Sequence, residues 1–256
     1  MMSWCDKLPS TPTVGFKLTA HFAPLETILD ALSPILDAIG EGDAKNITLD
    51  QSQTFFSTGF TGNEGFRYQV DENKISVGFS HRVRFRQVSG GPPTMEMLSK
   101  PLPFTKLVPI VASKLIDATL MLPKAKDRLV QRIGIISTTA VAEEDIPPGI
   151  KRLISYIGRP WKAAVDNYNI GLTGIISETA ETTERCIHTL IKPEEKDQLL
   201  TLQFDWQRIF QTGWQNTKAN LDRLIEDGTR DALKYFEELA EGNRFDEVLL
   251  RDATGT

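Results

Sequence analysis

The stretch Val14-Gly15-Phe16-Lys17-Leu18-Thr19-Ala20-His21-Phe22 alternates apolar and small or polar side chains residue by residue. On an extended chain Val14, Phe16, Leu18, Ala20 and Phe22 fall on one side and Gly15, Lys17, Thr19 and His21 on the other, which is the pattern of a strand with one buried face. The period then changes. Leu25, Ile28, Leu29, Leu32, Ile35, Leu36 and Ile39 recur at three- and four-residue steps, the apolar stripe of a helix that Gly40 and Gly42 close. Pro34 falls inside it and predicts a kink, because a mid-helix proline removes a backbone hydrogen bond. A strand followed at once by an amphipathic helix sets the class, and the rest of the chain extends it.

Three extended segments follow, at 47–59, 65–70 and 75–88, separated by the turn signals Thr61-Gly62-Asn63-Glu64 and Asp71-Glu72-Asn73. Gly90-Gly91-Pro92-Pro93 reads as a loop, and a helix is predicted over 104–122 with Pro109 near its first turns. The order then begins again: a strand over 129–142, a short helix over 148–156, strands over 169–179, 184–191 and 198–209, and a long helix over 216–240. Each half reads strand, helix, three strands, helix. The chain is therefore expected to be an internal duplication, two tandem β-α-β-β-β-α units at 13–125 and 126–245, with an N-terminal arm at 1–12 and a tail at 246–256. The fold class is α+β, a mainly antiparallel sheet with helices packed on one face. In this alignment the last strands of the units match Val83 and Phe85 with Phe204 and Trp206, and Arg82, Arg84 and Arg86 with Gln203, Asp205 and Gln207.

Arg132-Ile133-Gly134-Ile135, the strand Leu200-Thr201-Leu202-Gln203-Phe204-Asp205, and the helix ending Leu233-Lys234-Tyr235-Phe236-Glu237-Glu238-Leu239 carry a resemblance, as does the first strand running into Phe22-Ala23-Pro24. Together they resemble a sporadically distributed bacterial family of similar length and unknown function. The resemblance covers most of the chain in element order. Where that family continues its Arg-Ile-Gly strand with an Arg-Tyr-Ile-Asn run, this chain has Ile136-Ser137-Thr138-Thr139. The resemblance implies a fold and no chemistry.

The 256 residues carry 40% apolar and 25% charged side chains, which excludes disordered, collagenous and coiled-coil classes. Two cysteines, Cys5 and Cys186, are too few for a disulfide framework and lack metal-ligand spacing. No signal-peptide pattern and no apolar run of ~18 residues is present, so a cytoplasmic protein without membrane contact is expected. Neither G-x-x-x-x-G-K-[ST] nor G-x-G-x-x-G occurs, and Gly171-Leu172-Thr173-Gly174 lies in a strand pattern, where glycine marks a bulge or a close approach of backbones. No cofactor is implied.

Catalytic machinery is sparse. Cys186 and His188 share a strand face and could form a thiolate–imidazole pair, but a catalytic pair also needs an orienting group and an oxyanion site, so a buried cysteine beside a satisfied histidine is the favoured reading. The acidic runs Glu143-Glu144-Asp145, Glu178/Glu181/Glu184 and Glu194-Glu195 adjoin turns or a helix start, where carboxylates are solvated or favoured by the helix dipole. No catalytic residue and no metal ligand is assigned.

The net charge of −5 excludes a uniformly basic nucleic-acid binder, but it is unevenly spread. Residues 73–132 hold eleven Lys or Arg against three acids, a local net of +8, and residues 219–256 hold five against ten, a net of −5. Within the basic segment, Arg82, Arg84 and Arg86 lie on one side of an extended chain at spacings of ~7 Å, suited to carboxylates or phosphates. Lys106, Lys114, Lys124, Lys126 and Arg128 extend the expected contact surface. A guarded sheet edge explains the arginines without any partner. The expected function is a non-catalytic binding protein, a subunit of a bacterial complex or a homo-oligomer. A nucleic-acid-binding accessory protein using the same arginines is the alternative, and an enzyme of unknown type the third reading.

Overall fold

The alternation at the start of the chain builds β1, Thr11–Leu18, whose Val14, Phe16 and Leu18 are buried while the residues between them are not. The computed structural model describes residues 4–7, 10–19, 47–50, 55–58, 65–71, 73–81, 83–86, 94–98, 102–158, 167–192 and 199–242. The helix expected over 25–39, the Thr61–Glu64 turn, the 90–93 loop and the tail lie outside the described residues.

Strands β2 (Ile47–Asp50), β3 (Phe55–Thr58), β4 (Gly65–Val70) and β5 (Lys74–Ser80) form an antiparallel meander that ends beside β1. Asp71 makes the β4–β5 turn by accepting the amides of Asn73 and Lys74 on Oδ1 at 2.9 and 2.6 Å. In the second half β8 (Leu129–Val141) pairs with β11 (Leu200–Gln215), which pairs with β10 (Thr182–Lys192), which pairs with β9 (Tyr168–Glu178). Both halves thus set their first strand beside their last. Antiparallel pairing of β1 with β8 joins them into a nine-stranded sheet ordered β2-β3-β4-β5-β1-β8-β11-β10-β9.

The helices cover one face, as the sequence predicts. Helix α1 is Trp4–Lys7, α2 Phe104–Leu120, α3 Pro148–Gly158 and α4 Lys218–Glu241. Phe104, Leu107, Val108, Val111 and Leu115 are the buried stripe of α2, which packs on β1 and β5. Leu221, Leu224, Ala232, Phe236 and Leu239 are that of α4, over β8 and β11. Their meeting is aromatic: the Phe236 ring stands 6.0 Å from Phe104 and 5.7 Å from Phe204. A Cβ on Gly228 would come within 3.2 Å of Ile133 and 3.4 Å of Trp206, so the glycine lets α4 lie close on the fully buried indole. Thr217 caps α4 by accepting from the Asn220 amide, and Gly242 ends it with a φ of 86°, the left-handed cap that favours glycine.

Three expectations are corrected. The segment 47–59 contains two short strands, β2 and β3, instead of one. The segment 75–88 also divides: β5 stops at Ser80, and β6 (Val83–Arg86) pairs with β7 (Thr94–Met97) in a separate two-stranded ribbon. The cause is a loss of partner. In the β1–β5 register Ser80 falls opposite the start of β1, and His81 turns in to Ser10, its Nε2 lying 3.2 Å from the Ser10 carbonyl. Side-chain alternation continues through this point and does not show it. In the sheet β5 pairs with β1, with Ile75 opposite Phe16, as β11 pairs with β8, with Trp206 opposite Ile135; Val83 and Phe85 lie outside that sheet.

The third correction concerns the first strand, expected over 14–22 and found at Thr11–Leu18, so that it begins inside the arm expected at 1–12. Helix α1 docks on α4, with the Glu237 carboxylate accepting the amides of Trp4 and Cys5 at 2.8 Å each, Trp4 packed 5.7 Å from Phe204, and Thr105 donating to Asp6. Burial and the adjacent Glu237 carboxylate hold the Cys5 thiol in its protonated form, far above its ordinary pKa. Glu237→Ala removes both acceptors and is expected to cost about 1–3 kcal/mol. Alkylation of Cys5 in the variant should speed up at least tenfold at neutral pH while Cys186 stays protected. Equal Cys5 labelling rates in variant and parent would show that the arm is held by something else.

Candidate functional site

The face of the sheet turned away from the helices carries a row of residues set across six strands. The registers place Gln69 beside Ser76, Ser76 beside Gly15, Gly15 beside Gly134, Gly134 beside Gln207, and Gln207 beside Arg185. Two adjacent glycines at the junction of the halves contribute no side chains of their own over a width of about two strands, roughly 10 Å, and the Ser76 and Asp205 side chains border the space they leave, 3.0 and 3.6 Å from where a Cβ on Gly15 and Gly134 would stand. This gap is the floor of a cavity of about 300 Å³ walled by Thr13, Lys74, Ser76, Arg132, Asp205 and Gln207.

One wall is a hydrogen-bonded polar cluster. Arg185 Nε and Arg132 Nη1 both donate to Gln207 Oε1, at 3.0 and 3.2 Å, and Gln207 Nε2 donates to Asp205 Oδ2 at 2.6 Å. Burial raises the Asp205 carboxyl above the usual carboxylate range, opposed by the Gln207 hydrogen bond and by the Arg132 and Arg185 charges. Two guanidiniums thus share one amide oxygen and the field of one carboxylate. Contrast the helix-covered face, where Arg208 pairs with Glu184 at 2.6 Å and Asp231 at 2.5 Å and stacks on Trp206. The cavity lining holds no thiol or imidazole; its charged groups are the cations Lys74 and Arg132 and the carboxylates Asp71 and Asp205, so it offers both donors and acceptors to a polar group.

The residues singled out from sequence are not gathered around this cavity. Arg82 lies outside the described residues. Arg84 and Arg86 stand on the β6–β7 ribbon, where Arg84 is opposite Glu96 and Arg86 opposite Thr94. Lys106 is exposed near the start of α2, and Lys124 and Lys126 are exposed beyond its end, about 25 Å of helix away. Lys114 is half-buried with its ammonium 4.6 Å above the Phe66 ring. Arg128 is buried and donates from Nε to the Thr19 carbonyl at 3.1 Å, so it ties β8 to the end of β1 and is no part of an exposed contact surface. Burial lowers its pKa, against the opposing charge of Asp71. Among the described residues no three His, Cys, Asp or Glu side chains converge as metal ligands would.

Cys186 and His188 are both buried on the helix side of β10. The imidazole stacks on Tyr235 and its Nε2 lies 3.0 Å from the tyrosine hydroxyl, while the Cys186 thiol points to the Ile187 carbonyl at 3.8 Å. These are packing roles. Gly171 and Gly174 serve no close approach, since a Cβ on Gly171 meets nothing within 4 Å and one on Gly174 meets His188 at 3.8 Å.

Arg132, Arg185, Asp205 and Gln207 were not assigned to a site from sequence. Asp205 was the available signal, because aspartate is disfavoured in strands and this one sits between Phe204 and Trp206. The chain matches no family model, no curated protein and no solved structure.

Burial pushes the His188 pKa down from 6.5 to about 4. Above pH 6.5 neither the folded nor the unfolded ring binds a proton; between 6.5 and 4 the unfolded chain takes one and the folded chain does not. The stability this group contributes is therefore complete above pH 6.5 and lost as pH falls toward 4, at about 1.4 kcal/mol per pH unit. His188→Gln keeps a hydrogen-bonding partner for Tyr235 and does not titrate. Urea unfolding of the variant between pH 4 and 6.5 should show a slope smaller by about that amount, and parallel curves would show that His188 is not buried in neutral form.

Proposed function

We propose that the chain is a non-catalytic binding protein that works as a component of a protein complex, with the sheet face that no described helix covers as its contact surface. The observation that carries this reading is the polar cluster at the trough of Gly15 and Gly134, where Arg132, which lines the trough, and its neighbour Arg185 share the Gln207 amide instead of each meeting a carboxylate. Arg208, by contrast, is matched by two carboxylates. The guanidiniums of Arg132 and Arg185 suit an acidic side chain or chain terminus. An uncovered antiparallel face is compatible with stability because strands of this kind alternate between a dry and a wet side.

Nucleic acid is the second reading, favoured by the +8 of residues 73–132 and by Arg84 and Arg86 on a two-stranded ribbon. It is weakened by Glu96 lying opposite Arg84. Localisation in the cytoplasm belongs to the same proposal; no helix among the described residues is long and apolar enough to cross a membrane.

A fluorescent oligoglutamate peptide and a fluorescent single-stranded oligonucleotide separate the readings. The peptide should bind at low salt and lose about 10–100-fold in affinity when Arg132→Gln and Arg185→Gln are combined. Undetectable peptide binding, or binding unaffected by the double variant, would overturn the proposal. Oligonucleotide binding that falls steeply with salt and is lost in Arg84→Glu/Arg86→Glu, but not in the Arg132→Gln/Arg185→Gln variant, would put nucleic acid first.

A further inference from the structure

We propose that β9 pairs with β9 of a second copy of the chain, antiparallel about a two-fold axis at Thr173, so that two nine-stranded sheets become one. This surface is separate from the trough, and the proposal stands whatever the trough binds.

Strand β9 is last in the sheet order, and among the described residues nothing pairs with its outer side. Edges of this kind are usually guarded by shortness, proline or lysine. β9 has eleven residues, no proline, no lysine or arginine, and a single charge at its end, Glu178. Its ladder to β10 is regular from Tyr168 to Ile175. It also carries two exposed large apolar side chains, Ile175, at 67% the most exposed among the described residues, and Leu172 at 38%.

Its glycines have no purpose within one chain. Gly171 and Gly174 weaken a strand, and neither has a neighbour that a methyl group would strike, the nearest being His188 Cε1 at 3.8 Å from a Cβ on Gly174. A second copy supplies the purpose. A two-fold axis perpendicular to the sheet keeps every side chain on its own face, so facing residues must be an even number of positions apart. With Thr173 on the axis, exposed Ile175 of each copy lies across from Gly171 of the other, and exposed Leu172 across from Gly174. Each large apolar group thus meets a position without a side chain, on both faces. The two Glu178 residues end at opposite extremities, so no like charges face each other. A contact one strand wide falls among the small, weak interfaces, so the dimer should form and dissociate with concentration.

Thr173→Cys tests the register. Facing Cα atoms on the axis are about 4.5–5.5 Å apart, within the range a disulfide spans. Mild oxidation should give a covalent dimer in high yield, while Asn169→Cys, whose copies lie about 27 Å apart in this register, should not crosslink. The native thiols do not interfere, because Cys5 and Cys186 are buried. Sedimentation of the unmodified chain from low to high micromolar concentration should show the 28.6 kDa protomer converting to twice that mass. Ile175→Lys removes the apolar group facing Gly171 and puts a charge on the exposed edge; it should leave the thermal midpoint of the protomer unchanged and weaken the dimer at least tenfold. A constant protomer mass over the whole range, or crosslinking at 169 as fast as at 173, overturns the proposal.

Discussion

The ladder between β1 and β8 makes one sheet out of two sets of strands. Either strand without the other would be an unguarded edge with a row of unpaired amides and carbonyls. Joined, they bring Val14, Phe16, Ile133 and Ile135 under the helical layer as adjacent rows. The two helices above then meet across the junction through Phe104 and Phe236. A single continuous core follows, running from Tyr68 on β4 to Leu190 on β10. The order of strands follows too: each half can extend outward from the junction, and each has its first strand inside and its meander outside.

The same ladder has an opposite effect on the other face. Its register sets Gly15 against Gly134, so the centre of the uncovered side has two positions without side chains. The bordering strands supply the long polar side chains of Arg132, Arg185 and Gln207, and these lean on one another beside Asp205. Burying a carboxylate raises its pKa, and the two guanidiniums offset part of that cost without satisfying it in the way Glu184 and Asp231 satisfy Arg208. Charge matching thus differs between the faces of one strand, β11, within three residues. On the helix-covered face Arg208 is enclosed by its carboxylate partners; on the opposite face Arg132 and Arg185 meet an amide oxygen.

Much of the fold was legible because the second half keeps its periods clean. The strand at 129–142, the helix at 148–156 and the strands near 169, 184 and 198 all fall within a few residues of the observed elements, since each pattern changes where the backbone does. The long final strand is the exception. It runs on to Gln215 through an irregular stretch with Gly213 at a φ of 78°, which interrupts alternation without ending the strand. In the first half, periodicity carried past a real end at Ser80, because what stops β5 is the start of β1, a fact about a neighbour and not about the segment itself. The docking of α1 depends likewise on Glu237, more than two hundred residues away.

The candidate site was much less legible, for a reason of the same kind. Arg132, Asp205 and Gln207 each read as the polar side of a strand, and nothing in a linear pattern says which polar residues of different strands stand side by side. That depends on register, and register is set where two halves meet. Gly15 and Gly134 are 119 positions apart in the chain and adjacent in the sheet. The arginines at 82–86 drew attention because they are consecutive on one face of one segment, a property that sequence displays well and that needs no partner strand. Their strand lies on a separate ribbon, with a glutamate across from Arg84. Arginines brought together by pairing are invisible to such a count, and here one of them, Arg132, lines a cavity. A local charge excess therefore identifies a basic segment, while the surroundings of each guanidinium are decided by strand register.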